Sequence, residues 1–164
     1  MELRIFLPTS LYVSGISFAL KKMKKKKMMT EKTETENHTP RILMIDDDEE
    51  FTEDLKFLLD GPYQIVAVNE SNKGIELLEK EKFDLVILDL VMPAFYADQD
   101  EKEGTEVLTM IKNKWRNTIP TIILTQMNKL NVIDTCHTLG ADAFFIKPPV
   151  IEELKEKINK LIKY

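Results

Sequence analysis

The chain has 164 residues, enough for one domain and an additional segment, and its 43% apolar and 31% charged residues are typical of a globular protein. The lone Cys136 excludes an intramolecular disulfide and a multi-cysteine metal site. Residues 1–40 carry eight Lys and Arg against four Asp and Glu, whereas residues 41–164 carry fifteen against twenty-four. The acidity of the larger region disfavours nucleic-acid binding.

The first forty residues are interpreted as a separate N-terminal extension. A mostly apolar run precedes the basic run KKMKKKK, an order of charge that is wrong for a secretory signal and favours a cytoplasmic location for the following domain. Two interpretations stay open. One is a disordered or membrane-contacting extension that touches lipid only through residues 3–27. The other is a natural start at residue 28 or 29, followed by the polar tether 30–40.

Strand and helix patterns alternate from Arg41 onward. Arg41–Ile45 is a short apolar run that predicts a buried strand, and Asp48 is placed to cap the helix that follows. That helix is predicted to turn four apolar residues inward, namely Phe51, Leu55, Leu58 and Leu59. The pair Gly61-Pro62 predicts its end.

The remaining elements continue this alternation. In chain order they are predicted as strand Tyr63–Val68, helix Ser71–Lys80, strand Leu85–Leu88, helix Gly104–Lys114, strand Thr121–Leu124, helix Leu130–Leu139, strand Ala143–Ile146 and helix Ile151–Leu161. The third strand has no polar residue, as expected at the centre of a parallel sheet. Five strand–helix repeats predict an α/β fold, a doubly wound five-stranded parallel sheet with helices on both faces.

Polar residues follow the predicted strands at their carboxyl ends, where ligands bind in such sheets. In chain order they are Asp46, Asp47, Asp48, Asp89, Thr125 and Lys147. Clustered carboxylates repel one another unless a cation lies among them, and oxygen ligands favour Mg²⁺, Ca²⁺ or Mn²⁺ over zinc. A carboxylate can also attack phosphorus, with a metal, an ammonium group and a hydroxyl stabilising the transferred group. The alternative of ordinary surface carboxylates and a loop lysine requires a coincidence at four strand ends.

Four motifs in this region resemble those of one protein family. They are IDDDEE at 45–50, LDLVMP at 88–93, LT at 124–125 and IKPP at 146–149. Together, on five strand–helix repeats, they resemble the receiver domain of two-component response regulators. The resemblance covers residues 41–164, and it implies the flavodoxin-like strand order 2-1-3-4-5.

The resemblance implies a role for each matching residue. Asp89 matches the phosphoacceptor, Thr125 matches the switch hydroxyl, and Phe144 matches the aromatic side chain whose rotamer follows it. Lys147 matches the lysine that pairs with the phosphoryl group, and the peptide bond before Pro148 is cis in the family.

The same resemblance implies a metal site. Asp46 and Asp47 match the family's acidic pair, and with Asp89 and the backbone carbonyl of Val91 they would hold Mg²⁺ or Mn²⁺. The implied donor is a sensor histidine kinase or a phosphotransfer protein.

The implied output is a downstream protein target, contacted through the surface of the last two helices and the last strand. Because only one helix follows Lys147-Pro148, the chain is expected to be a stand-alone regulator. It is not expected to be an enzyme beyond its own phosphorylation and dephosphorylation.

Three features depart from the family pattern. Residues 94–103 form an acidic insertion, interpreted as a tolerated surface loop. Gln126 replaces a usually small residue, and it either narrows access to Asp89 or hydrogen-bonds the phosphoryl group. Val91 and Met127 flank the site with apolar side chains that cannot orient a nucleophilic water, so slow self-dephosphorylation is expected.

Two other functions stay open. One is a phosphate-independent docking module, a pseudo-receiver in which the insertion or Gln126 blocks the site. The other is an aspartate-nucleophile, Mg²⁺-dependent phosphatase of the haloacid-dehalogenase type. That chemistry needs a second acid two residues after the nucleophile, where this chain has Val91.

Overall fold

The computed structural model describes residues 39–92, 103–115 and 118–162. In chain order the elements are β1 (Arg41–Ile45), α1 (Glu49–Leu59), β2 (Gln64–Val68), α2 (Ser71–Lys80), β3 (Leu85–Leu88), α3 (Glu103–Lys114), β4 (Thr121–Thr125), α4 (Leu130–Thr138), β5 (Ala143–Ile146) and α5 (Ile151–Leu161). The predicted alternation is confirmed, and the predicted ends differ by one residue at most. Residues 1–38 of the N-terminal extension and all but the last residue of the acidic insertion lie outside the described residues.

The five strands form one parallel sheet in the order β2-β1-β3-β4-β5, which confirms the predicted fold. Ile45, the last residue of β1, lies opposite Val68 of β2 and Leu88 of β3. On the other side of the sheet, Thr125 of β4 lies opposite Ile146 of β5. Leu88, the last residue of β3, lies opposite Ile123, two residues before the end of β4, so the residues that follow the strands meet at one edge.

Alternate residues of each strand face opposite layers of helices. On β1, Ile42 and Met44 are fully buried in a cluster with apolar residues of α1 and α5. Leu43 and Ile45 are fully buried on the other face, in a cluster with residues of α2, α3 and α4. Within the described ranges, we find no helix that combines the length and apolarity needed to cross a membrane.

Helix α1 begins at the carboxyl edge of the sheet, and its start matches the predicted cap. The Asp48 carboxylate accepts a hydrogen bond from the backbone N–H of Phe51 at 3.0 Å, satisfying one of the free donors of the first turn. The inward position predicted for Leu58 is wrong, because this side chain is 45% exposed. Leu55 and Leu59 are buried against the sheet, and the helical rotation of about 100° per residue carries Leu58 away from that contact.

Candidate functional site

The candidate site lies at the carboxyl edge of the sheet, where the strand hydrogen-bond pattern continues one residue beyond β1, β3 and β5. The backbone N–H groups of Asp46, Asp89 and Lys147 donate to carbonyl oxygens of β2, β1 and β4 at 3.0, 2.9 and 2.9 Å. These bonds fix the Cα positions of three residues that are distant in sequence. The side chains of Asp46, Asp89 and Lys147 are therefore attached to backbone positions that the sheet holds in place.

The Lys147 ammonium lies between two buried carboxylates. Its Nζ is 2.8 and 2.7 Å from Oδ1 and Oδ2 of Asp46, and 2.6 Å from Oδ2 of Asp89. The three side chains are only 5%, 2% and 4% exposed, respectively. Charged groups at this depth require partners, and here the lysine is the shared partner of two acids.

Asp47 adds a third carboxylate at the surface of this cluster. Carboxylate oxygens of Asp46, Asp47 and Asp89 all lie within 4.8 Å of one another. With all groups ionised, three negative charges face the single positive charge of Lys147, which leaves an excess of two. Mg²⁺ prefers such oxygen ligands, and a divalent cation would balance the excess charge, so these residues fit the ion that the sequence predicts.

Burial and pairing act in opposite directions on the ionisation of this cluster. Desolvation raises the pKa of Asp46 above its ordinary value, although the hydrogen bond and the positive charge of Lys147 oppose the rise. Desolvation also lowers the pKa of Lys147, but hydrogen bonds and charges from Asp46 and Asp89 outweigh it, so the net pKa is raised. The lysine therefore stays charged, while Asp46 is stabilised as an anion by any additional cation.

Val91 and Thr125 border the same cluster. The backbone N–H of Val91 donates to Oδ1 of Asp89 at 3.0 Å, so both oxygens of that carboxylate have a partner. The Val91 side chain is 51% exposed. Thr125 is fully buried at the end of β4, beside the strand that precedes Asp89, and its Oγ accepts a hydrogen bond from the Met127 N–H at 3.4 Å.

Phe144 and the peptide bond before Pro148 are two further features that the resemblance implies. Phe144 is half-buried on β5 and packs against the α2–α3–α4 side of the core. It lies opposite Ile123 of β4, two residues before Thr125. The Lys147–Pro148 peptide bond is cis. Gln126 is exposed at the edge of the sheet.

Phe51 lies at the site, although its spacing along the helix predicted only a place in the core. Its ring centroid lies 4.6 Å from Nζ of Lys147, within the range of a cation–π contact. A sequence signal was available, because side chains in the first turn of a helix incline toward its N-terminus. In α1 that direction leads back to the residues that follow β1.

The matching family model is that of the response regulator receiver domain, and the match covers residues 42–159. Together with the strand order and the acidic cluster at the carboxyl edge, this match assigns the chain to the response regulator receiver domain family. The chain therefore contains the receiver domain of a two-component response regulator.

Individual relatives support the same assignment. The transcriptional regulatory protein CiaR of Streptococcus pneumoniae is 32% identical over 123 residues, which are 75% of this chain and 51% of CiaR. Among solved structures, a CheY-like receiver domain protein from Methanospirillum hungatei is 29% identical, with a TM-score of 0.64, covering 76% of this chain and 97% of that one. A receiver domain protein from Clostridium thermocellum is 28% identical, with a TM-score of 0.65, covering 75% and 94%.

The chain spans about half the length of curated relatives such as CiaR. By contrast, the match covers nearly the whole length of the two solved receiver domains. The shared part is therefore the receiver domain itself.

Proposed function

We propose that Asp89 accepts a phosphoryl group from the phosphohistidine of a sensor histidine kinase or a phosphotransfer protein. A carboxylate oxygen of Asp89 attacks phosphorus, the phosphorus–nitrogen bond breaks, and its electron pair leaves with the imidazole. The observation that carries the proposal is the place of Asp89 in the site. Its carboxylate contacts the Lys147 ammonium at 2.6 Å and belongs to a cluster of three carboxylates with excess negative charge.

Asp46, Asp47 and Asp89, with the backbone carbonyl of Val91, are the residues that would hold Mg²⁺ or Mn²⁺ in this proposal. When bound, the cation supplies positive charge to the oxygens of the transferring phosphoryl group. Lys147 supplies a further positive charge at Asp89, where its ammonium already donates to Oδ2. Asp46 keeps that ammonium oriented through its own contacts at 2.7 and 2.8 Å.

The proposed output is a change in protein–protein contacts. In this proposal the Thr125 hydroxyl turns toward the phosphoryl group, and Phe144 follows it inward from its half-buried position on β5. The surface of α4, β5 and α5 then presents a different shape to a downstream protein. We propose that the chain works as a stand-alone cytoplasmic regulator, with no enzymatic activity besides its own phosphorylation and dephosphorylation.

Incubation of the full chain with acetyl phosphate and Mg²⁺, followed by intact-mass analysis, tests the phosphoacceptor role. We expect one phosphoryl adduct that requires Mg²⁺ and is absent in Asp89→Asn. Asp142→Asn is the matched control, because its carboxylate also pairs with a buried lysine but lies at the other edge of the sheet. An unmodified wild-type chain with intact secondary structure would contradict the proposal and favour the docking module.

The decay of that adduct tests the expectation of slow self-dephosphorylation. Val91 and Met127 offer no polar side-chain atom to orient an attacking water, so we expect the phosphorylated chain to persist for minutes or longer. Removal of the donor, followed by mass analysis over time, gives the half-life. Val91→Asn should shorten it, since an amide can orient water, and a half-life of seconds in the wild type would contradict the expectation.

A further inference from the structure

Among the described residues, three side chains contact the Lys147 ammonium, and the third is an aromatic ring. Two are the carboxylates of Asp46 and Asp89, and the other is Phe51, whose ring centroid is 4.6 Å from Nζ. The lysine side chain is 5% exposed, so little water competes with these neighbours. A cation–π contact is strongest under such desolvation.

A closed set of contacts fixes the ring over the lysine. Oδ1 of Asp46 accepts a hydrogen bond from Lys147 Nζ at 2.8 Å and another from the backbone N–H of Asp48 at 3.1 Å. The carboxylate of Asp48 in turn accepts from the backbone N–H of Phe51 at 3.0 Å. The ring itself packs against the core cluster between α1, α5 and the sheet. The start of α1 and the ammonium group are therefore held by the same residues.

We propose that Phe51 is a positioning residue that keeps the Lys147 ammonium aimed at Asp89 during phosphoryl transfer. The consequence for transfer rests on the function proposed above. Once a divalent cation is bound and Asp89 carries a phosphoryl group, the negative charge of Asp46 and Asp89 is shared with these groups. The attraction of both residues for the Lys147 ammonium is then weaker. The ring of Phe51 has no oxygen atom to coordinate the metal ion and no polar hydrogen to donate to the phosphoryl group. Of the three contacts, the one with Phe51 is the one that these events leave unchanged.

Substitutions of Phe51 in the full chain test this role through the rate of phosphorylation by acetyl phosphate at saturating Mg²⁺. Loss of a desolvated cation–π contact predicts a rate about 3- to 10-fold lower for Phe51→Leu, and a rate within about twofold of wild type for Phe51→Tyr. Incorporating 4-fluoro, 3,5-difluoro and 3,4,5-trifluorophenylalanine at position 51 should lower the rate stepwise, because fluorine weakens the negative face of the ring while nearly preserving its size. Phe57→Leu is the matched control, since Phe57 lies on the same helix and is 83% exposed.

A second readout separates this proposal from the phosphoacceptor role. In the unphosphorylated chain, the ring current of Phe51 should displace the NMR signals of the Lys147 ε-methylene protons, and Phe51→Leu should return them to ordinary values. An unchanged signal in Phe51→Leu would overturn the proposal even if the wild-type chain accepts no phosphate. A transfer rate that is insensitive to fluorination would also overturn it. Loss of rate in Phe57→Leu to the same extent would show a general effect on α1 instead.

Discussion

Two buried lysines at opposite edges of the sheet have different charge environments. Lys147 at the carboxyl edge and Lys112 near the amino edge have side chains that are 5% and 6% exposed. Lys112 donates to Oδ2 of Asp142 at 2.7 Å and to the backbone carbonyl of Ile119 at 3.3 Å. The same Asp142 oxygen accepts from the backbone N–H of Thr121 at 2.8 Å.

The amino-edge pair is balanced, because one ammonium faces one carboxylate and backbone groups supply the other hydrogen bonds. At the carboxyl edge, one ammonium faces the three carboxylates of Asp46, Asp47 and Asp89. A balanced pair stabilises the ends of strands and has no need of a further ion. An excess of negative charge costs stability, the more so where Asp46 and Asp89 are buried, and a bound divalent cation would relieve that cost.

The largest expected effect concerns the divalent cation. In the proposed function Mg²⁺ binds the folded chain through the acidic cluster, so we expect Mg²⁺ at 100 times its Kd to raise the free energy of unfolding by about 2.7 kcal/mol. Urea unfolding of the full chain with Mg²⁺ and with EDTA measures the difference. Lys112→Met should keep this increment, whereas Asp89→Asn should lose most of it. Equal stability with and without Mg²⁺ would contradict an excess of negative charge at the carboxyl edge that a divalent cation balances.

Removal of the amino-edge lysine should produce the next largest effect. Lys112→Met leaves Asp142 without its cation, and we expect a loss of about 2 kcal/mol. The loss is smaller than for a fully buried pair, since the Asp142 side chain is 35% exposed. Lys114→Met is the matched control on the same helix, because its pair with Glu79 is half-exposed and should contribute much less to stability. Similar losses in both variants would contradict the assignment of Lys112 as a structural ion.

The smallest expected effect is that of replacing one aspartate by asparagine. The change in the free energy of unfolding should have opposite signs at the two edges of the sheet. Asp47→Asn removes one unit of excess charge from the carboxyl edge, so in EDTA it should raise the free energy of unfolding by about 0.5 to 1 kcal/mol. Asp142→Asn should lower it. The Asp47 variant should also need a higher Mg²⁺ concentration for the same stabilisation. Destabilisation of both variants in EDTA would contradict the excess of negative charge at the carboxyl edge.

The helices and strands, and the residue types at the carboxyl edge of the sheet, could be predicted from the amino-acid sequence alone. Runs such as Leu85–Leu88 and the cap at Asp48 depend on local burial patterns and local hydrogen bonds, which are visible over a few residues. The strand ends were therefore predictable, and so was the meeting of acids and a lysine there.

The pairing of these side chains could not be predicted from the sequence. Lys147 contacts Asp46 and Asp89, which are 101 and 58 residues away, and Lys112 contacts Asp142, which is 30 residues away. Such contacts depend on strand order and register, which are set by burial of both sheet faces at once. The same packing turned Leu58 outward, against the prediction from helical spacing. A sequence pattern predicts which residues lie at the same edge of the sheet. The balance of charges among them depends on contacts between distant segments, which form only when the chain is packed.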